Sequence, residues 1–171
     1  IMMDVVILCG GRGTRLQSVV SDRPKPMAAV NDKPFLELLM DHVARCGFSR
    51  FVLCAGYMGG MIRDYFAGKQ LPYQVAVSME DEPLDTAGAV KHAEGLIKGC
   101  RFMVMNGDSI CGADLKAFAA FHEERKPLVS LAAARKEDAS AFGTITAGAD
   151  GKLLAFREKA ARPRGRVNAR H

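Results

Sequence analysis

A glycine-rich loop directly after an N-terminal apolar run is the feature that most constrains how this chain can fold. Residues 5–8 are all apolar and predict a buried strand. Gly10, Gly11 and Gly13 then allow the backbone to approach a ligand closely and to turn its N–H groups towards an anion. The sequence therefore predicts a strand that ends in an anion-binding loop.

Two cationic side chains follow the loop. Arg15 has a planar guanidinium group that suits phosphate oxygens, and Lys25 lies between Pro24 and Pro26, which restrict its backbone. A glycine-rich turn by itself is common, and the alternative is that this one is only a tight turn. The combination with two cations favours a triphosphate site.

The spacing of the loop separates it from two other nucleotide-binding classes. It does not follow Gly-x-Gly-x-x-Gly, which argues against a dinucleotide-dependent oxidoreductase. It also lacks the Gly-Lys-Ser/Thr ending of a P-loop.

The loop and the downstream Pro-Lys-Pro resemble the signature of the sugar-phosphate nucleotidyltransferases, Gly-Gly-x-Gly-Thr-Arg-Leu followed by Pro-Lys-Pro. Residues 7–11 and 25–37 are most similar to the bacterial heptose 1-phosphate guanylyltransferase branch, and the resemblance covers nearly all of the chain. It implies an enzyme that joins an NTP to a sugar 1-phosphate and releases pyrophosphate. The residues that it implies for nucleotide binding in this loop are Leu8, Gly10, Gly11, Gly13, Thr14 and Arg15.

The resemblance also implies roles for the catalytic cations. Arg15 would bind the departing pyrophosphate and Lys25 the α-phosphate, so that the protein acts by positioning and charge stabilisation. No nucleophilic side chain is needed, and Cys9 is interpreted as a small packing residue of the loop.

Composition favours one ordinary globular domain. The chain has 171 residues, of which 49% are hydrophobic, and no apolar run approaches the ~20 residues of a membrane span. Five scattered cysteines, without a Cys-x-x-Cys pair or a secretory signal, favour reduced thiols and a cytoplasmic location. We expect a nucleotidyltransferase domain over residues 1–159 and a basic tail over residues 160–171.

The net charge of +5 belongs to the end of the chain. Residues 157–171 contain six cations and one acid, which leaves 18 of each in residues 1–156. Few aromatic residues accompany these arginines, so a nucleic-acid platform is disfavoured. The expected partners are an NTP and a sugar 1-phosphate, with no nucleic acid and no membrane, and a homo-oligomer is left open.

Apolar runs alternate with helical patterns along the chain, which predicts an α/β fold with a mostly parallel sheet. The resemblance implies the three-layer, Rossmann-like fold of the nucleotidyltransferases. The expected strands are residues 5–8, 51–55, 73–78, 101–105, 128–134, 143–147 and 152–156, and the expected helices begin at Pro34 and span 61–66, 87–97 and 114–126. Thr86 is expected to cap the helix at 87–97, and Asp150-Gly151 predicts the turn of a hairpin.

Asp108 is the candidate metal ligand. It follows the strand predicted at residues 101–105, and open α/β sheets bind their ligands at the carboxyl ends of the strands. An isolated Asn-Gly-Asp is more often a turn whose Asp bonds its own backbone. The resemblance to the family's Gly-Asp motif favours a ligand for Mg²⁺, a cation that prefers oxygen atoms.

Residues 80–88 resemble the family's base-recognition segment, which implies nucleotide contacts from Glu80, Thr86 and Gly88. A carboxylate at Glu80 only accepts hydrogen bonds, so it suits guanine or the amine of cytosine better than uracil or thymine. Asp85 stands where the family usually has glycine. The alternative is a solvated acidic loop before a helix.

The last residues resemble the sugar-phosphate site of the family. Gly143, Glu158 and Lys159 are the implied contacts, with Lys159 on the sugar phosphate. Residues 167–169 resemble the start of Val-Asn-Ala-Gly, and relatives are expected to continue and to add a second metal-binding aspartate. The notable alternatives are a slow or catalytically silent nucleotide-binding domain of the same fold, and a transferase for another base or sugar.

Overall fold

The computed structural model describes residues 3–11, 22–135 and 143–157. The strands are β1 (Asp4–Leu8), β2 (Ala29–Val30), β3 (Lys33–Pro34), β4 (Arg50–Ala55), β5 (Gln74–Met79), β6 (Phe102–Asn106), β7 (Thr144–Ala147) and β8 (Leu153–Arg157). The helices are α1 (Phe35–Arg45), α2 (Gly59–Phe66), α3 (Asp85–His92) and α4 (Leu115–Arg125), with 3₁₀ turns at Lys25–Met27 and Glu94–Leu96.

A four-stranded parallel sheet forms the centre of the fold, in the order β5-β4-β1-β6. All four strands run in the same direction, so their carboxyl ends meet at one edge. The loops that follow the four strands are thereby brought together at that edge, although they are far apart in the chain.

Each face of the sheet is covered by helices. Side chains of α1, α2 and α4 pack with Val5, Ile7 and Leu53 on one face, and α3 packs on the opposite face against Val6 and Val52. Alternate residues of β1 and β4 point to opposite faces, as the pleat of a strand requires. The predicted three-layer α/β fold is confirmed.

Most predicted elements are present with shifted ends. The helix α1 begins directly after Pro34, as expected, and its apolar face is fully buried. The side chain of Asp114 accepts hydrogen bonds from the backbone N–H groups of Lys116 and Ala117, both at 3.0 Å, and so caps α4. Thr86 does not cap α3, because the helix already begins at Asp85.

The strand predicted at residues 128–134 is wrong. These residues do not form a strand, and the side chains of Leu128 and Val129 are exposed. An extended segment becomes a strand only when its backbone pairs with a neighbour, and a run rich in alanine has little intrinsic preference for pairing. The helix predicted at residues 87–97 also ends early, at His92, and continues as the turn Glu94–Leu96.

The chain divides into two compact units, Ile1–Val129 and Ser130–His171. The first contains the parallel sheet. The second contains the antiparallel hairpin β7–β8, whose turn includes Gly151 at φ 81°, as the Asp150-Gly151 pair predicts. The domain expected over residues 1–159 and the tail over residues 160–171 stay predictions. Within the described ranges, no helix is both long and apolar enough to cross a membrane.

Candidate active site

A cleft of about 620 Å³ opens at the carboxyl edge of the parallel sheet, within the first compact unit. The loops after β1, β4, β5 and β6 form it together with the 3₁₀ turn at Lys25–Met27. Its lining residues are Leu8, Cys9, Gly10, Gly11, Lys25, Pro26, Gly56, Tyr57, Glu80, Asp81, Glu82, Pro83, Leu84, Asp85, Thr86, Ala89, Asn106 and Asp108.

Lys25 and Asp108 form an ion pair in this cleft. The Nζ of Lys25 donates to Oδ2 of Asp108 at 2.6 Å, and the Ser109 hydroxyl donates to Oδ1 at 2.9 Å. The hydrogen bond from Lys25 is the largest cause of a lowered pKa of Asp108, with desolvation acting against it. Two predicted catalytic residues, 83 positions apart, are thus in direct contact.

Close packing between β1 and β6 holds Asp108 in place. The N–H of Gly107 donates to the carbonyl oxygen of Leu8 at 2.9 Å. A Cβ atom at Gly107 would lie 2.9 Å from Sγ of Cys9 and 3.0 Å from the Leu8 carbonyl oxygen. Cys9 is buried, and burial is the largest cause of the raised pKa of its thiol, so the group stays neutral and acts by packing as expected.

Glu80 lies beneath the glycine loop. A Cβ atom at Gly10 would be 3.2 Å from Oε1 of Glu80, and one at Gly56 would be 3.1 Å from the Gly10 carbonyl oxygen. The amide of Leu84 donates to Oε2 at 3.4 Å. Oε1 is buried and has no hydrogen-bond partner among the described residues. A buried carboxylate oxygen without a donor is costly, so we expect this atom to accept from a water molecule or from a residue outside the described ranges.

The loop from β5 to α3 gives the cleft an acidic rim of Asp81, Glu82 and Asp85. Asp85 has φ 56°, a left-handed conformation that glycine adopts most easily and that aspartate tolerates better than most residues. The resemblance described above implies glycine at this position in relatives, and the backbone of Asp85 has the conformation that glycine would favour. Asp85 therefore adds a carboxylate to the rim at the expense of some backbone strain.

Comparison with known proteins supports the chemistry that this cleft suggests. Residues 4–169 match the nucleotidyl transferase family. The chain belongs to this family. The predicted family and its reaction class, nucleotidyl transfer, are thereby confirmed.

Individual members of the nucleotidyl transferase family resemble the chain over most of its length. It is 36% identical to a D-glycero-alpha-D-manno-heptose 1-phosphate guanylyltransferase from Campylobacter jejuni, over 97% of this chain and 73% of the relative. It is 33% identical to a mannose-1-phosphate guanylyltransferase from Mycobacterium tuberculosis, over 94% of this chain and 45% of the relative. It is also 36% identical in sequence to HddC from Yersinia pseudotuberculosis. The crystal structure of HddC complexed with GMP-PN matches this chain with a TM-score of 0.76, over 92% of this chain and 70% of HddC.

The chemistry of Asp108 fits the divalent metal that the nucleotidyl transferase family implies. Its carboxylate supplies hard oxygen atoms at the open edge of the sheet, and one of them already holds a cation, the Lys25 ammonium group. No group of three or more His, Cys, Asp and Glu side chains that could hold a metal occurs in the described ranges. Among the described residues, Asp108 is thus the candidate ligand, and any further ligands would come from outside them.

Most predicted nucleotide-binding residues within the described ranges line the cleft, namely Leu8, Gly10, Gly11, Glu80 and Thr86. Gly88 does not line it, and a Cβ atom at this position of α3 would be 3.0 Å from the Cβ of Leu84. Ala89 lines the cleft one position later. The nucleotide role of Gly88 stays a prediction.

Several predicted residues lie outside the described residues: Gly13, Thr14, Arg15, Glu158 and Lys159. Gly143 is described and is exposed, just before β7 in the second compact unit. Sequence reasoning missed Gly56, Tyr57 and Asn106, which also line the cleft. Their signal is position alone, since each lies at or just beyond the carboxyl end of a parallel strand.

Proposed function

We propose that the chain transfers a guanylyl group from GTP to a sugar 1-phosphate, with heptose 1-phosphate as the favoured acceptor, and releases pyrophosphate. The observation that carries the proposal is that Lys25, Asp108 and Glu80 line one cleft at the carboxyl edge of the sheet. This combination offers a phosphate cation, a metal ligand and an acceptor for a base. The guanylyltransferase names of the relatives support the same base and the same class of acceptor.

Glu80 supports the choice of guanine. Its carboxylate lines the cleft and can only accept hydrogen bonds, and guanine presents two donors on one edge, N1–H and the exocyclic amine. Uracil and thymine present only one N–H, which lies between two carbonyl oxygens. The negative partial charges of these oxygens would repel the carboxylate. Cytosine offers its amine alone and is the closest competitor on these grounds.

The mechanism rests on positioning and charge stabilisation. An oxygen of the sugar phosphate attacks the α-phosphorus in line, and Lys25 binds the α-phosphate as negative charge develops there. The glycine loop, with Gly10, Gly11 and Gly13, would bind the nucleotide through its backbone N–H groups. Mg²⁺, when bound to Asp108, supplies charge neutralisation for the phosphate oxygens.

Four further residues, three of them outside the described ranges, complete the proposal. Arg15 binds the departing pyrophosphate, and the sugar phosphate is held by Lys159 with support from Gly143 and Glu158. All five cysteines are free thiols, which supports work in a reducing cytoplasm, where a nucleotide sugar would be made.

A pyrophosphate-release panel tests the function. Four NTPs are crossed with heptose, mannose and glucose 1-phosphates, and we expect release with GTP and heptose 1-phosphate above the other pairs. Lys25→Ala should abolish most of the release, whereas Lys33→Ala, which removes an equal charge outside the cleft, should not. Nucleotide binding without pyrophosphate release from any pair would instead indicate a catalytically silent binding domain.

A further inference from the structure

The Lys25–Asp108 ion pair occupies the atom that a metal would need. Oδ2 of Asp108 accepts from the Lys25 ammonium group at 2.6 Å, and Oδ1 accepts from the Ser109 hydroxyl at 2.9 Å. Both carboxylate oxygens therefore have a donor. A divalent cation at this oxygen would lie next to the Lys25 ammonium group, so repulsion between the two cations opposes metal binding while the lysine stays in place.

Lys25 has little backbone freedom with which to move away. It begins the 3₁₀ turn Lys25–Met27, Pro24 precedes it with φ −66°, and Pro26 follows it. Its side chain, by contrast, is about one-third exposed (33%) and ends in the open cleft. The ammonium group can therefore leave Asp108 by rotation of the side chain while the turn stays in place.

We propose that Lys25 is a cation placeholder, which holds the metal-binding oxygen of Asp108 until a nucleotide phosphate accepts the ammonium group. The metal then takes the vacated carboxylate oxygen, and the lysine takes the α-phosphate. This inference rests on the proposed function for the identity of both ligands. It adds that the metal and the nucleotide bind cooperatively, because each removes the obstacle to the other.

Coupling of this kind is reciprocal, since a phosphate that strengthens metal binding must itself be bound more tightly when the metal is present. It depends on the phosphate, because a nucleoside without one gives the displaced ammonium group no acceptor. It also depends on the positive charge at position 25. These three properties distinguish a placeholder from an ion pair that merely stabilises the fold.

The test measures Mn²⁺ binding by the electron paramagnetic resonance signal of free Mn²⁺, with no turnover required. Lys25→Met should raise the affinity for Mn²⁺ in the absence of nucleotide by up to about fivefold, the equilibrium ratio that one partly exposed ion pair contributes. Lys25→Arg should keep the weak binding of the unmodified protein. Lys33→Met is the matched charge control, because Lys33 pairs with Glu37 and Asp41 outside the cleft.

The second measurement uses the unmodified protein and so does not depend on how the variants fold. GMP should strengthen Mn²⁺ binding, after correction for chelation by free GMP, whereas guanosine should not. Equal Mn²⁺ affinity for Lys25→Met and the unmodified protein, or equal effects of GMP and guanosine, would overturn the proposal. A failure of the guanylyltransferase function would appear separately, as no pyrophosphate release from any pair of substrates.

Discussion

Gly107→Ala is the substitution whose effect the structure defines most closely. The added Cβ would lie 2.9 Å from Sγ of Cys9, 3.0 Å from the Leu8 carbonyl oxygen and 3.2 Å from Cγ2 of Ile7. These neighbours include a backbone atom and buried side chains at the end of β1, so no flexible group can move aside. The end of β6 must shift instead, and it carries Asp108 with it.

The magnitude follows from overpacking at a rigid contact. Extra carbon in a well-packed region costs about 1–3 kcal/mol, and displacement of Gly107 also strains its 2.9 Å hydrogen bond to Leu8. We expect urea denaturation to show a free energy of unfolding about 2 kcal/mol lower. We also expect pyrophosphate release to fall roughly tenfold or more, because a small misplacement of a reacting group costs rate.

Two further variants make the reasoning refutable. Gly112→Ala is the matched control, because a Cβ there meets nothing within 4 Å, and it should be nearly neutral. Adding Cys9→Ala to Gly107→Ala should recover part of the stability by removing Sγ, while the Leu8 carbonyl contact remains. A Gly107→Ala protein with unchanged stability and unchanged turnover would show that this close approach does not position Asp108.

Four other outcomes are expected. Asp108→Asn should lower turnover, measured by pyrophosphate release, by ~10²–10³, while most nucleotide binding, measured by isothermal titration calorimetry, remains. Near-normal turnover would remove Asp108 from the mechanism. Glu80→Gln should reduce the preference for GTP over UTP by roughly tenfold or more in competition assays, whereas a preference for UTP in the unmodified chain would refute the assignment of the base. Asp85→Val should lower the free energy of unfolding by about 1–2 kcal/mol, with Asp85→Gly close to neutral, since a β-branched residue fits φ 56° poorly; equal stabilities would argue against the strain. The pKa of Asp108 is lowered from 3.8 in the folded state, so its ion pair stabilises the protein above that pH, and the stabilisation is lost as the pH falls through the lowered value. Urea denaturation at pH 7 and pH 3 should therefore show that the difference in free energy of unfolding between Asp108→Asn and the unmodified protein shrinks with acid. A constant difference would contradict the shift.

Signals that lie within a few residues of one another predicted the fold well. The apolar run of β1, the one-sided pattern of α1 and the Asp150-Gly151 turn each specify their own element, and all three elements are present. Residues 128–134 show the limit of such reasoning, because their apolar character resembles a strand but no pairing partner is present among the described residues. Pairing is a property of two segments and cannot be read from one.

The sequence by itself determined the chemical groups that we propose for nucleotidyl transfer. They are a glycine loop after a strand, a lysine between prolines, an aspartate at a strand end and a carboxylate before α3. These are local features, since each depends on the residues beside it in the chain. The tertiary structure alone decided which of them meet. The strand order β5-β4-β1-β6 places Glu80 against Gly10 and Gly56, and it places Asp108 within 2.6 Å of Lys25. That order results from the packing of both sheet faces over the whole domain, so no short stretch of sequence contains it.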